Sequence, residues 1–251
     1  MKHFVNATAS ESHLNPIASD ACVEGFSVNT SKKYYDEFIS LGTQCNPGLS
    51  LRELGLKKET YPFDWVRSNS KIIYDVLKNG RDKYMMFNST KSDDYYTKHL
   101  DKIDFGCMGD EHINYYGQYF THYSNIDRTH LKDKINRWFD RLYKVLNSNN
   151  KILFIHTHEE YIYHKKSRDD KILFYDYLCK TNDLLIENYP DLKFDIINID
   201  INNTFQNYKN IINLNMIYNL PISDNSETHT SSYYEPYRDA VTKAIENYLK
   251  N

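Results

Sequence analysis

FISLGTQCNPGLSLRELGLKKETYPFDWVR, residues Phe38 to Arg67, decides the fold. The apolar run Phe38-Ile39-Ser40-Leu41 has the character of a buried strand. Gly42 ends it and permits a sharp turn. Cys45 follows, and Asn46-Pro47 opens a helix, with Pro in the first turn where its missing N–H does no harm. Leu49, Leu51, Leu54 and Leu56 predict an apolar side for this helix, and Gly55 its end. A thiol thus falls between a strand end and a helix start. The helix N-terminus favours negative charge and hence thiolate over thiol, a good place for a nucleophile. A small, half-apolar Cys packed into a core is the competing explanation.

Strands alternate with helices downstream. Residues 69–79 place Ile72, Ile73, Val76 and Leu77 on one helical face, with Gly80 positioned as the cap. Residues 129–147 repeat Leu131, Ile135, Trp138, Leu142 and Val145 at helical spacing. Lys151–Ile155 reads as a strand ending at His156, residues 169–188 as a helix stopped by Pro190, Phe194–Ile199 as a strand ending at Asp200, and Asn210–Leu214 as a fourth strand. Residues 236–250 close the chain as a helix. Residues 81–130 carry short aromatic runs that fit edge strands or loops lying over a site. The expectation is an α/β fold with a central, mostly parallel sheet and helices on both faces, a Rossmann-like three-layer arrangement, built as a single domain over residues 34–251 behind a loosely ordered arm, residues 1–33. Ligands bind such folds at the C-terminal strand ends. Cys45, His156 and Asp200 all fall there.

Composition narrows the function classes. The 251 residues carry a formal charge of −3, and the isoelectric point is near 6.4, which argues against nucleic acid or an anionic membrane as a partner. The 23 Tyr residues accompany an Asn-, Lys- and Ile-rich bias of the kind AT-rich coding produces. Cys22, Cys45, Cys107 and Cys179 form no CxxC pair and no metal-finger spacing, which suits reduced thiols in an intracellular compartment. No membrane span, secretory leader, dinucleotide loop or P-loop is legible, so no cofactor and no metal are expected.

Ser40-Leu41-Gly42 with Cys45, Leu51-Arg52 with Gly55-Leu56, and Pro62-Phe63-Asp64-Trp65 together resemble an uncharacterised family, labelled papain-like cysteine peptidases, of bacteria and large DNA viruses. Phe120-Thr121-His122 and the helix around Arg137 are similar to its second block. The resemblance implies Cys-His chemistry, in the host cytoplasm if the chain is viral. It also brings a papain-like α+β fold as an alternative. Papain, however, places its Cys on a long helix apart from the sheet.

A Cys nucleophile needs a base and a group that orients the base. His122 is the base expected from the resemblance, with His156, His158 and His229 as alternatives. Asp64, between two aromatics, is the candidate orienter, and Gln44 a candidate oxyanion donor. Trp65, Arg137 and Arg141 are candidate substrate contacts. Asp224 and His229 lie in a late loop before the last helix, as in SGNH hydrolases, at a different spacing. The leading reading is a Cys-dependent hydrolase or acyl transferase acting on a peptide, isopeptide, amide or ester bond of a protein or glycan. The alternatives are a glycan- or nucleotide-sugar-related enzyme in which Cys45 only packs, and a non-catalytic binding module.

Overall fold

The computed structural model describes residues 34–42, 45–66, 68–87, 113–116, 118, 120–123, 125–157, 168–201, 205–216 and 234–251. The expected N-terminal arm, Gln44, His158, His229, Cys22 and Cys107 lie outside the described residues.

Four parallel strands form the centre: β1 (Glu37–Ser40), β2 (Lys151–Thr157), β3 (Lys193–Ile201) and β4 (Ile211–Met216), in the spatial order β1-β2-β3-β4. The α/β expectation holds, and the runs read from the sequence as β1, β2 and β3 lie side by side in that order. Register sets what each face presents, because side chains alternate along a strand. Ile39, Ile152, Phe154, Phe194, Ile196 and Ile211 line one face. Phe38, Leu153, Ile155, Ile197, Ile199 and Met216 line the other.

Each face is covered by helices. The first receives α2 (Ser70–Asn79), through Ile72, Ile73 and Val76. After the short α3 (Arg81–Tyr84) comes α4 (Arg128–Leu146), through Leu131, Ile135, Trp138, Phe139 and Leu142. Leu178 and Leu185 of α5 (Arg168–Asn188) complete that layer. The second face receives Leu51 of α1 (Asn46–Glu53) and Tyr237, Val241, Ile245 and Leu249 of α6 (Tyr234–Lys250). This is the three-layer arrangement that periodicity predicts for a parallel sheet buried on both sides.

Local chemistry explains the helix boundaries. Asn69 caps α2 by accepting from the Ile72 N–H at 2.9 Å. Gly80 ends it at φ 76°, a left-handed angle that a residue with a Cβ resists. Asp127 caps α4 by accepting from the His130 N–H at 3.0 Å. Helix α1 finishes in paired return bonds, Leu56 N–H to Leu51 O at 2.9 Å and Gly55 N–H to Arg52 O at 3.0 Å, with Gly55 at φ 67°. Its apolar side is narrower than predicted. Leu51 is buried while Leu49, Leu54 and Leu56 are half-buried, and Asn46, Pro47 and Gly48 make up the buried first turn.

The long aromatic segment splits at its described ends. Tyr84 ends α3 and packs edge-on against Phe63, Phe120 and Phe139, with ring centroids 6.4, 5.6 and 5.2 Å away. Phe87 makes an isolated antiparallel bridge to Asn114. Phe139 is wholly buried and packs between Tyr84 and Tyr143, so Phe139→Ala should cost about 3–5 kcal/mol of unfolding free energy, read from urea denaturation. A change under about 1 kcal/mol would contradict this packing.

Candidate functional site

The site grows from the end of β1. Leu41 N–H donates to Ile155 O at 2.8 Å, which carries the pairing of the two strands one residue past β1. Gly42 then adopts φ 86°. A Cβ there would stand 3.3 Å from Ser68 Cβ, so the turn lies against the start of α2. Cys45 is the N-cap of α1 and half-buried, and its carbonyl accepts from Leu49 N–H at 2.9 Å. The sequence placed a thiol between strand end and helix start, and the chain path does the same.

The Pro-Phe-Asp-Trp turn packs against that helix. A Cβ on Gly48 would lie 3.3 Å from both Asp64 O and Asp64 Oδ1. Asp64 is wholly buried. Its Oδ2 forms an ion pair with Lys57 and accepts from the Tyr61 N–H at 2.7 Å. Burial pushes the Asp64 carboxyl above its usual range, and Lys57 and the Tyr61 N–H oppose that shift. Phe63 anchors one side of the turn in the aromatic group, and the buried Tyr84 hydroxyl donates to Pro62 O. Trp65 faces outward, half-buried, with Lys57 Nζ 5.7 Å from its ring centre.

His122 sits in the short 3₁₀ turn Thr121–Tyr123, edge-on to Trp65 at 5.6 Å between ring centres. Its outer edge is exposed. Partial burial lowers its imidazole pKa, which keeps the ring neutral and able to accept a proton at neutral pH. Trp65 therefore links the turn that carries Asp64 to the segment that carries His122. The polar partners of Asp64 among the described residues are Lys57 and Tyr61. Arg141 is half-buried and braces the approach to the turn, with Nε 3.1 Å from Glu59 Oε2 and a long bond to Thr60 O at 3.4 Å. Arg137 is exposed on α4.

One polar row escaped sequence reasoning. His156, Asn198 and Asn213 stand opposite one another on β2, β3 and β4. Asn213 Nδ2 donates to the Gln206 carbonyl at 2.7 Å. A carbonyl only accepts, which fixes the direction of the whole chain of bonds. Asn213 Oδ1 must accept from Asn198 Nδ2 at 2.8 Å, and Asn198 Oδ1 from His156 Nδ1 at 2.8 Å. The proton is then on Nδ1, and Nε2 accepts from the Ser70 hydroxyl at 3.1 Å. The row ties the start of α2 to three strands beneath it. Its only sequence trace is a polar residue interrupting each apolar run. Beside it, Gln118 Nε2 donates to Ser68 Oγ at 2.6 Å and Asn114 Nδ2 to Gln118 Oε1 at 2.9 Å, fastening the aromatic segment over the turn.

With the geometry in place, comparison with known proteins is informative. The family described as "Putative papain-like cysteine peptidase (DUF1796)" matches residues 36–203. The chain belongs to this family. The match runs from β1 through β3 and takes in Cys45, Asp64, His122 and His156. It supports a cysteine hydrolase at the coarse level. A relative named "Uncharacterized protein R408", from Acanthamoeba polyphaga mimivirus, is 33% identical over 147 residues, covering 53% of this chain and 65% of that protein. The chain thus spans just under two thirds of that relative's length. No solved structure matches. Among the described residues no helix is long and apolar enough to cross a membrane.

Asp64 and His156 are both buried ionisable groups, and each makes stability depend on its partner or on pH. Lys57→Met would strand the Asp64 carboxyl and should cost about 3–5 kcal/mol, while Lys57→Met with Asp64→Leu should recover much of it, read from urea midpoints. Equal losses in the single and double variants would contradict a coupled pair. His156 is wholly buried and its pKa falls to about 4, because burial outweighs the bond to Asn198. The unfolded chain takes up this proton below about 6.5 and the folded chain only near 4. The stability that neutral His156 contributes is therefore complete above that upper value and lost as pH falls through the window. Wild type should lose about 3 kcal/mol more than His156→Gln across it. Parallel pH profiles of the two proteins would contradict the assignment.

Proposed function

We propose that this protein is a Cys-dependent hydrolase or acyl transferase, with Cys45 as nucleophile and His122 as base. The observation that carries the reading is the place of Cys45, at the N-terminus of α1 and the C-terminal edge of β1, in a chain of a cysteine peptidase family. In the proposed reaction the Cys45 thiol gives its proton to His122, and the thiolate attacks an acyl carbonyl. The tetrahedral intermediate collapses, the leaving amine or alcohol takes the proton back from imidazole, and a thioester remains on Cys45. Water, or a second nucleophile in the transferase case, then releases the acyl group with His122 again as the base. The dipole of α1 favours the thiolate, and backbone N–H groups with Gln44 are the proposed oxyanion donors.

Asp64 acts at one remove in this scheme. Its carboxyl is held by Lys57 and Tyr61, so it fixes the turn that sets Trp65 against His122. Trp65 is the proposed apolar wall for the acyl donor, with Arg137 and Arg141 on the α4 side for an anionic group. The acyl bond is a peptide, isopeptide, amide or ester on a protein or glycan.

The test is a panel of fluorogenic amides and aryl esters. Cys45→Ala should abolish turnover with an unchanged circular dichroism spectrum. His122→Ala should lower kcat/KM by roughly two to four decades. Turnover by Cys45→Ala at the wild-type rate would remove Cys45 from the chemistry.

A further inference from the structure

The start of α2 carries a feature that neither the fold nor the Cys45 chemistry uses. Asn69 is 2% exposed, and its Oδ1 caps the helix at the Ile72 N–H. Reversing the amide would set two donors face to face, so the orientation is fixed. Its Nδ2 is then a donor at the mouth of the helix, fully buried and without a hydrogen-bond partner among the described residues. A buried donor left unsatisfied is costly, and such groups are rare unless a ligand completes them.

The surroundings of Nδ2 suit an anion. The Asn69 cap occupies the Ile72 N–H, and the Ser70 N–H belongs to the same first turn. That turn carries no acidic residue, although acids favour this position. The Ser70 hydroxyl proton is committed to His156 Nε2, so the Asn69 amide is the side-chain donor left over. The α2 start also adjoins Gly42, through Ser68, three residues before Cys45.

We propose that the N-terminus of α2 is a binding site for a small oxyanion, a carboxylate or phosphate group, held by Asn69 Nδ2 and the Ser70 N–H. The helix dipole and converging N–H donors supply the attraction. Asn69 Nδ2 supplies the side-chain contact that sets this helix start apart from a bare one. The site rests on its own geometry and does not require Cys45 to react.

Binding is tested on Cys45→Ala protein, so that the outcome is independent of turnover. Inorganic phosphate and acetate are titrated separately at constant ionic strength, with chloride as the balancing ion, and followed by the side-chain amide resonance of Asn69 and by calorimetry. Asn69→Gly and Asn69→Asp are both tolerated at an N-cap and both remove the amide donor. Saturable binding of either anion, weakened about tenfold by Asn69→Gly and further by Asn69→Asp, is the expected result. Binding of phosphate alone marks a phosphate site, and of acetate alone a carboxylate site. Two results would overturn the proposal. One is the absence of saturable binding of both anions. The other is binding by a folded Asn69→Gly protein as tight as that of the parent.

Discussion

Among the described residues the pairing of β1 with β2 runs as far as Leu41, and the candidate site is built outward from that point. Up to Ile155 the backbone of β1 is paired with β2. Beyond it, Gly42 turns the chain with a left-handed angle and a close approach to Ser68. A side chain at position 42 would meet both obstacles at once. Cys45, three residues on, is the N-cap of α1, which packs on the face of the sheet opposite α2.

The Pro-Phe-Asp-Trp turn is held by buried polar bonds and aromatic packing together. Lys57 neutralises Asp64 inside the protein, at a position where an unpaired carboxylate would be costly. Such a pair is a weak source of net stability but a strong constraint on geometry once formed. Here it closes the turn that carries Trp65. Phe63, Tyr84, Phe120 and Phe139 hold the same turn from below, and Gln118 with Asn114 holds the segment leading to His122. The row Ser70-His156-Asn198-Asn213 then locks α2 to the sheet edge in one proton arrangement.

The layers were legible because they depend on local pattern. Short apolar runs gave β1, β2 and β3, and helical spacing gave α2 and α4, to within a residue or two of their ends. The position of Cys45 followed from Gly42 and Pro47 alone. What escaped depends on register or on distant partners. Asn198 and Asn213 each looked like a lone polar residue in a strand, and only parallel register sets them beside His156. Asp64 is legible as a candidate orienter between two aromatics, but its partners, the Tyr61 N–H and Lys57, seven residues upstream, carry no mark in the sequence. The link between Asp64 and His122 through Trp65 was equally hidden, since ring contact leaves no periodic trace. Half-burial of Leu49, Leu54 and Leu56 reflects how Gly48 seats α1 against Asp64, a close approach that spacing does not encode.

The central claim is that the end of β1 and the start of α1 create a reactive thiol at Cys45. The most direct measurement is the pH dependence of iodoacetamide alkylation at Cys45, followed by peptide mass analysis in the folded protein and in urea. The account predicts a folded midpoint below about 8.5, the ordinary value for a cysteine thiol, with alkylation at neutral pH faster than at Cys179. A Cys45 midpoint at or above its value in urea, with no rate advantage over Cys179, would contradict it.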